Sequence, residues 1–410
     1  MEFREQTLDN GLQIVAECNP DAYSTALGFF VNAGSRDETD ENWGVSHFLE
    51  HMVFKGTPKR SAADVNRELD EMGSQSNAFT SEEQTVYYAK VLPELQPRAL
   101  ELLSDILRPS LREEDFELEK QVILEEIAKY EDQPPFGAHE KCMSEHFGDH
   151  PLGRSVLGTN ESITNLTAEQ MRAYFERRYS PGNITLAASG KVDFKGLVSE
   201  AQRCCGQWEP FVAERQAPAA NANNGFRLIQ KPSSVQQYVV QVASGPAAED
   251  PQRYAARLLC TIVGDDSGSR FFWELVDTGL AEYASIGAYE FQGAGILMTF
   301  LACQPAESAE NLARIRQICE SVQESGVSEA ELTRAKSKTC SHIVLQSERP
   351  SSRLFSVGSN WIQRREYKTV RQQIDAYRAV TCEDINQFLR RYPLTSNTTV
   401  TVGPLDELSV

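Results

Sequence analysis

The chain has 410 residues, 24% charged and 40% apolar, with a formal net charge of −19. Such a length exceeds one ordinary core and predicts two domains of roughly 200 residues each. The acidity excludes a nucleic-acid partner, which demands a basic surface. No apolar run reaches the roughly 18 residues of a membrane span, so no membrane partner is expected. The N-terminal stretch MEFREQTLDNGLQ lacks the apolar core of a secretory signal, which predicts a cytoplasmic protein. Nine scattered cysteines without CxxC spacing read as reduced thiols, neither a disulfide framework nor a cysteine metal site.

In chain order, residues 7–18 open as a hairpin around Asn10-Gly11. The β-branched and aromatic run 23–32 reads as a buried strand. Helical spacing takes over across 40–54, where Trp43, Phe48, Leu49, Met52 and Val53 are apolar and Gly56 is a plausible stop. A second helix, 61–72, is capped by Ser61 and ends at Gly73. Two strand segments share 76–91 around a polar turn. Helices follow at about 94–107 and at 113–132, the latter stopped by Pro134-Pro135. A helix at 167–178, the turn SPGN and a strand at 183–189 close the first half.

Residues 209–225 are rich in Ala, Asn and Pro, carry no apolar period and read as a linker. After them the order of elements restarts: strands at 226–230 and 236–244, a helix at 250–263, another beginning near Ser269, strands around 283–303 and long helices from 306. The expected division is therefore 1–208, a linker at 209–225, and 226–410, with the second half a copy of the first half's plan.

The chemistry concentrates in GVSHFLEHMVFKGT, residues 44–57. On a helix, positions i, i+3 and i+4 share a face, so His47, Glu50 and His51 project together while Phe48, Leu49 and Met52 turn inward. Two imidazoles one turn apart can bind one ion at about 2 Å, and the glutamate beside them is placed to take a proton from a water that the metal activates. A third ligand is needed. The acidic helix 113–132 offers Glu119, Glu125 and Glu126, and spacing alone leaves the three open.

With HFLEH on one helix and VILEEI about 75 positions later, the chain resembles the pitrilysin/insulinase family of zinc peptidases, whose inverted HxxEH order defines the inverzincins. GSQSNAFTSEEQTVYYAKV and HPLGRSVLGTNESI add to the likeness. The resemblance implies an α+β fold of two repeated α/β domains, each a mixed or antiparallel sheet flanked by helices, together one half of a clamshell. It implies His47, His51 and Glu126 as ligands of one Zn2+ per chain, Glu50 as general base, and Glu119 as a carboxylate steadying a ligand. Asn77, Ala78, Phe79 and Thr80 would be the sheet edge to which a peptide substrate adds as a strand. The helix at 254–263 has no such motif, so a single metal site is expected. Two chains would close around a chamber, as a homodimer or as a heterodimer with a related non-catalytic chain. The family's carbonyl-binding arginine and tyrosine are not matched by SRFFWELVDTGLAEYAS, 269–285. Arg270 and Tyr283 are candidate substitutes, and a separate subunit is the alternative source. The competing function is a non-catalytic or partner-dependent subunit, or a structural scaffold.

Overall fold

A computed structural model describes residues 1–218 and 220–408. Contacts divide them into two units. The first is built from Met1–Ala128, Arg154–Gln216 and Leu345–Lys368; the second comprises the described residues of Lys129–Gly153, Ala217–Val344 and Thr369–Val410.

The first unit holds a six-stranded sheet of β1 (Glu2–Thr7), β2 (Gln13–Cys18), β3 (Thr25–Val31), β4 (Gln75–Thr80), β5 (Thr85–Val91) and β6 (Ile184–Gly190). Their order is β1-β2-β6-β3-β5-β4, which makes β4 an edge strand. Only β2 and β6 run parallel; the other neighbours are antiparallel. Every residue of β3 is buried, because both faces of the sheet are covered. This is why the segment reads as a continuous apolar run without alternation. The strand is shorter than the expected 23–32: Tyr23 stands 91% exposed before it.

Leu27, Phe29 and Val31 point into one core, shared with residues of α1 (Val45–Val53), α2 (Ala62–Glu71), α3 (Gln96–Ile106) and α4 (Glu113–Asp132). Ala26 and Phe30 point to the opposite face.

Helices α5 (Ala138–Phe147), α6 (Asn160–Asn165), α7 (Ala168–Arg178) and α8 (Phe194–Cys205) complete the first half of the chain. The second unit's sheet comprises β7 (Gly225–Gln230), β8 (Gln237–Ser244), β9 (Tyr283–Phe291), β10 (Ala294–Cys303) and β11 (Asn397–Gly403), in the order β7-β11-β8-β10-β9. Read from β7, its pairings run parallel, then antiparallel three times. Read from β2, the first sheet shows the same succession. The fold is thus α+β, with two mixed sheets on one repeated plan. Helices α9 (Arg253–Gly264), α10 (Ser308–Ser325), α11 (Glu329–Ser347), α12 (Pro350–Arg364), α13 (Val370–Ala379) and α14 (Cys382–Arg391) belong to the second half; the helix expected near Ser269 contains a short π-helical stretch, Phe272–Val276.

Each half of the chain lends one helix to the other half's sheet. In the second unit, Cys142, Met143 and Phe147 of α5 pack on Val240, Val242, Met298 and Val400. In the first unit, Leu354, Val357 and Ile362 of α12 pack on Val15, Ala26, Phe30 and Val86. Gly358 permits that second approach, since a Cβ there would meet the Phe30 ring at 2.3 Å. Division at a single linker leaves this exchange out, because an apolar helix face carries no mark of the sheet that will receive it.

All nine cysteines are free thiols. Among the described residues no helix is long and apolar enough to cross a membrane.

Candidate metal centre

The helix expected from residue 40 begins only at Val45. Gly44 precedes it with φ +91°, and a Cβ there would come within 2.7 Å of Ile163 and 2.9 Å of the Leu157 carbonyl. Only glycine suits both that left-handed backbone and that close approach. Free N–H groups at the start of α1 are met from a distance in sequence. Glu38 accepts from the Gly44 and Ser46 N–H groups, each at 2.7 Å. The Ser46 hydroxyl is hydrogen-bonded to that of Tyr174 at 2.6 Å. Phe48, Leu49, Met52 and Val53 are buried and hold the opposite face of α1 in the core.

On α4, Phe116, Ile123 and Ile127 are buried beside Glu119, and the packing narrows the choice that spacing leaves open. Glu119 and Glu126 lie on the inward side, whereas Glu125 is exposed. The Nε2 atoms of His47 and His51 stand 3.8 and 3.6 Å from Glu126 Oε2. Donors around a tetrahedral zinc are roughly 3.3 Å apart, and these two distances exceed that by about half an ångström or less. Among the described residues it is the one group of three or more His, Cys, Asp or Glu residues whose ligand atoms lie within 4.8 Å of one another. Burial, helped by the neighbouring His51, pushes the pKa of His47 down to about 3, so its imidazole is neutral as metal binding requires. Two imidazoles and a carboxylate are a donor set that suits zinc. The residues fit the ion.

Around this trio the contacts are specific. His51 Nδ1 is 2.9 Å from Glu119 Oε1, and Lys55 Nζ pairs with the other carboxylate oxygen. Burial works against a charge on His51, but the Glu119 hydrogen bond and the surrounding carboxylates outweigh it and raise its pKa. Burial likewise favours the neutral form of Glu119, and the bonds from His51 and Lys55 reverse that, lowering its pKa. His47 Nδ1, by contrast, is buried without a hydrogen-bond partner. Glu50 lies outside the ligand trio, and its Oε2 accepts a 2.6 Å bond from the Thr80 hydroxyl. Burial raises its pKa, against the Thr80 bond and the field of His51.

Asn77, Ala78, Phe79 and Thr80 occupy the edge strand β4, paired on one side only, with β5. Arg270 and Tyr283 belong to the second unit. There Arg270 donates to both Glu331 oxygens, at 2.9 and 3.3 Å, and to the Gly326 carbonyl. Tyr283 opens β9 and is 47% exposed. Sequence reasoning missed Glu38 as the cap of α1, Lys55 as a partner of Glu119, and the Thr80–Glu50 bond. No local motif encodes them: Glu38 precedes Gly44 by six residues and Thr80 follows Glu50 by thirty, outside any capping or helical spacing.

Comparison with known proteins finds matches along most of the chain. Residues 13–160 match the model described as Insulinase (Peptidase family M16), and residues 165–339 match Peptidase M16 inactive domain. An uncharacterized zinc protease of Mycobacterium tuberculosis is 33% identical over 94% of this chain and 90% of its own. A counterpart in Bacillus subtilis is 30% identical over 95% of each. In fold, the crystal structure of a protease from Helicobacter pylori superposes with a TM-score of 0.92 at 21% identity, covering 98% of this chain and 99% of that one. A peptidase M16 inactive domain from Pseudomonas fluorescens gives 0.92 at 18% identity over the full length of both.

Proposed function

The chain belongs to the insulinase family of peptidases, family M16, and on that premise we propose that it is a zinc-dependent endopeptidase holding one Zn2+ per chain and cleaving peptides or small unfolded polypeptides. The observation that carries the reading is the grouping of His47 Nε2, His51 Nε2 and Glu126 Oε2, with Glu50 in the field of His51 and Glu126. Zinc held there supplies Lewis acidity, acidifying a water and polarising the scissile carbonyl. Everything else falls to the protein.

Glu50 is the general base. It takes a proton from the attacking water and passes it to the leaving amine. Glu119 accepts from His51 Nδ1–H, which fixes the tautomer whose Nε2 lone pair faces Glu126. Lys55 keeps Glu119 ionised for that task. The free edge of β4 offers the main-chain groups of Asn77, Ala78, Phe79 and Thr80 to an extended peptide, which binds as an added strand independent of its side chains.

One observation favours a second reading, a partner-dependent subunit of a dimeric peptidase. Arg270 is engaged by Glu331 and Gly326, so a cation for the substrate carbonyl would come from a related chain. A single digest separates the two. The purified chain loaded with zinc should cut a peptide library, lose that activity on chelation and regain it with added zinc. Cleavage only after a related chain is added supports the second reading; no cleavage under either condition overturns both.

A further inference from the structure

We infer that Thr80, through its hydroxyl, is the positioning residue for the base Glu50, a role separate from the backbone role of its strand at the sheet edge. The inference rests on the reading of Glu50 as the base. The Thr80 Oγ1–Glu50 Oε2 bond is 2.6 Å, short as expected for a hydroxyl donating to a carboxylate. Among the described residues it is the one hydrogen bond that the Glu50 side chain makes, and it engages one oxygen, leaving Oε1 open.

Two features make this contact selective. Thr80 lies opposite Thr85 in the β4–β5 pair. The Thr85 hydroxyl is 3.4 Å from that of Thr80 but already donates to the Ala33 carbonyl at 2.9 Å, so it neither competes for the carboxylate nor replaces Thr80. The branched Thr side chain on a strand has few rotamers, so the donor is held in place before any substrate arrives. A glutamate has three rotatable side-chain bonds; anchoring one oxygen restricts the positions open to the other. Misplacing a reacting group by about 1 Å can cost on the order of 100-fold in rate.

Thr80→Val keeps shape and backbone and removes the donor. Its kcat on a peptide library should fall about 10- to 100-fold, with KM, zinc content and melting temperature as in the wild type. Thr80→Ser should restore most of the rate, because it returns the hydroxyl without the methyl. Wild-type kcat in Thr80→Val overturns the inference. So does a loss of zinc or of thermal stability that accounts for the lower rate, or a Thr80→Ser variant no faster than Thr80→Val. Glu50→Gln measured alongside keeps the two readings apart: if it retains full activity, the base assignment itself fails, whereas an inactive Glu50→Gln with a fully active Thr80→Val sinks the role of Thr80 alone.

Discussion

Glu50→Gln is expected to lower peptide turnover by about 100- to 10,000-fold while zinc content stays at the wild-type level. The substitution keeps size and shape, and the Gln carbonyl oxygen can still accept the Thr80 hydrogen bond that Glu50 accepts now. What disappears is the ability to take and return a proton. The trio of His47, His51 and Glu126 does not include residue 50, so the donor set is untouched. Steady-state kinetics on a peptide library together with metal analysis of the same preparations checks both halves. A Glu50→Gln protein cleaving at the wild-type rate refutes the base assignment; one that has lost its zinc shows that Glu50 holds the metal instead.

The second large effect concerns the helix that the chain's distal half lends to the first unit. Arg353 on α12 and Glu17 on β2 are 4% and 2% exposed. They form a paired contact, with Arg353 Nε 2.7 Å from Glu17 Oε1, and the Tyr367 hydroxyl donates to Glu17 Oε2 at 2.7 Å. Tyr367 in turn stacks on Phe3 at a centroid distance of 4.0 Å. Glu17→Ala leaves a guanidinium buried with no counter-charge, a change that costs about 3–5 kcal/mol. Replacing both members at once, as Glu17→Leu with Arg353→Met, removes the stranded charge and should recover most of the loss. Denaturant unfolding of the two variants decides it: a Glu17→Ala chain within about 1 kcal/mol of wild type, or a double variant worse than the single one, contradicts this account of how α12 is held.

Much of the centre was legible because its chemistry is local. His47, Glu50 and His51 fall on one face through the 3.6-residue period alone, and α4 occupies the residues 113–132 that its composition marks out. The candidate third ligand is different. Three carboxylates satisfy the spacing; packing turns Glu125 out, and of the two inward ones Glu126 groups with the histidine Nε2 atoms while Glu119 meets His51 Nδ1. Resemblance to the family supplied what spacing could not. Distant pairings left no trace in the sequence. Glu17 meets Arg353 across more than 300 residues, and no periodicity announces the exchange of α5 and α12 between halves. Helix α1 starts five residues later than the spacing predicts, and Glu38, which accepts from its first N–H groups, lies beyond the span of any capping motif.

Crystals of the zinc-loaded chain, measured on either side of the zinc absorption edge, test the central claim most directly. The account predicts one strong anomalous peak per chain, bonded to His47 Nε2, His51 Nε2 and a carboxylate oxygen of Glu126, with Glu119 bound to His51 and not to the ion. A peak ligated by Glu119 or Glu50, or no peak near His47 and His51 at full zinc loading, contradicts it.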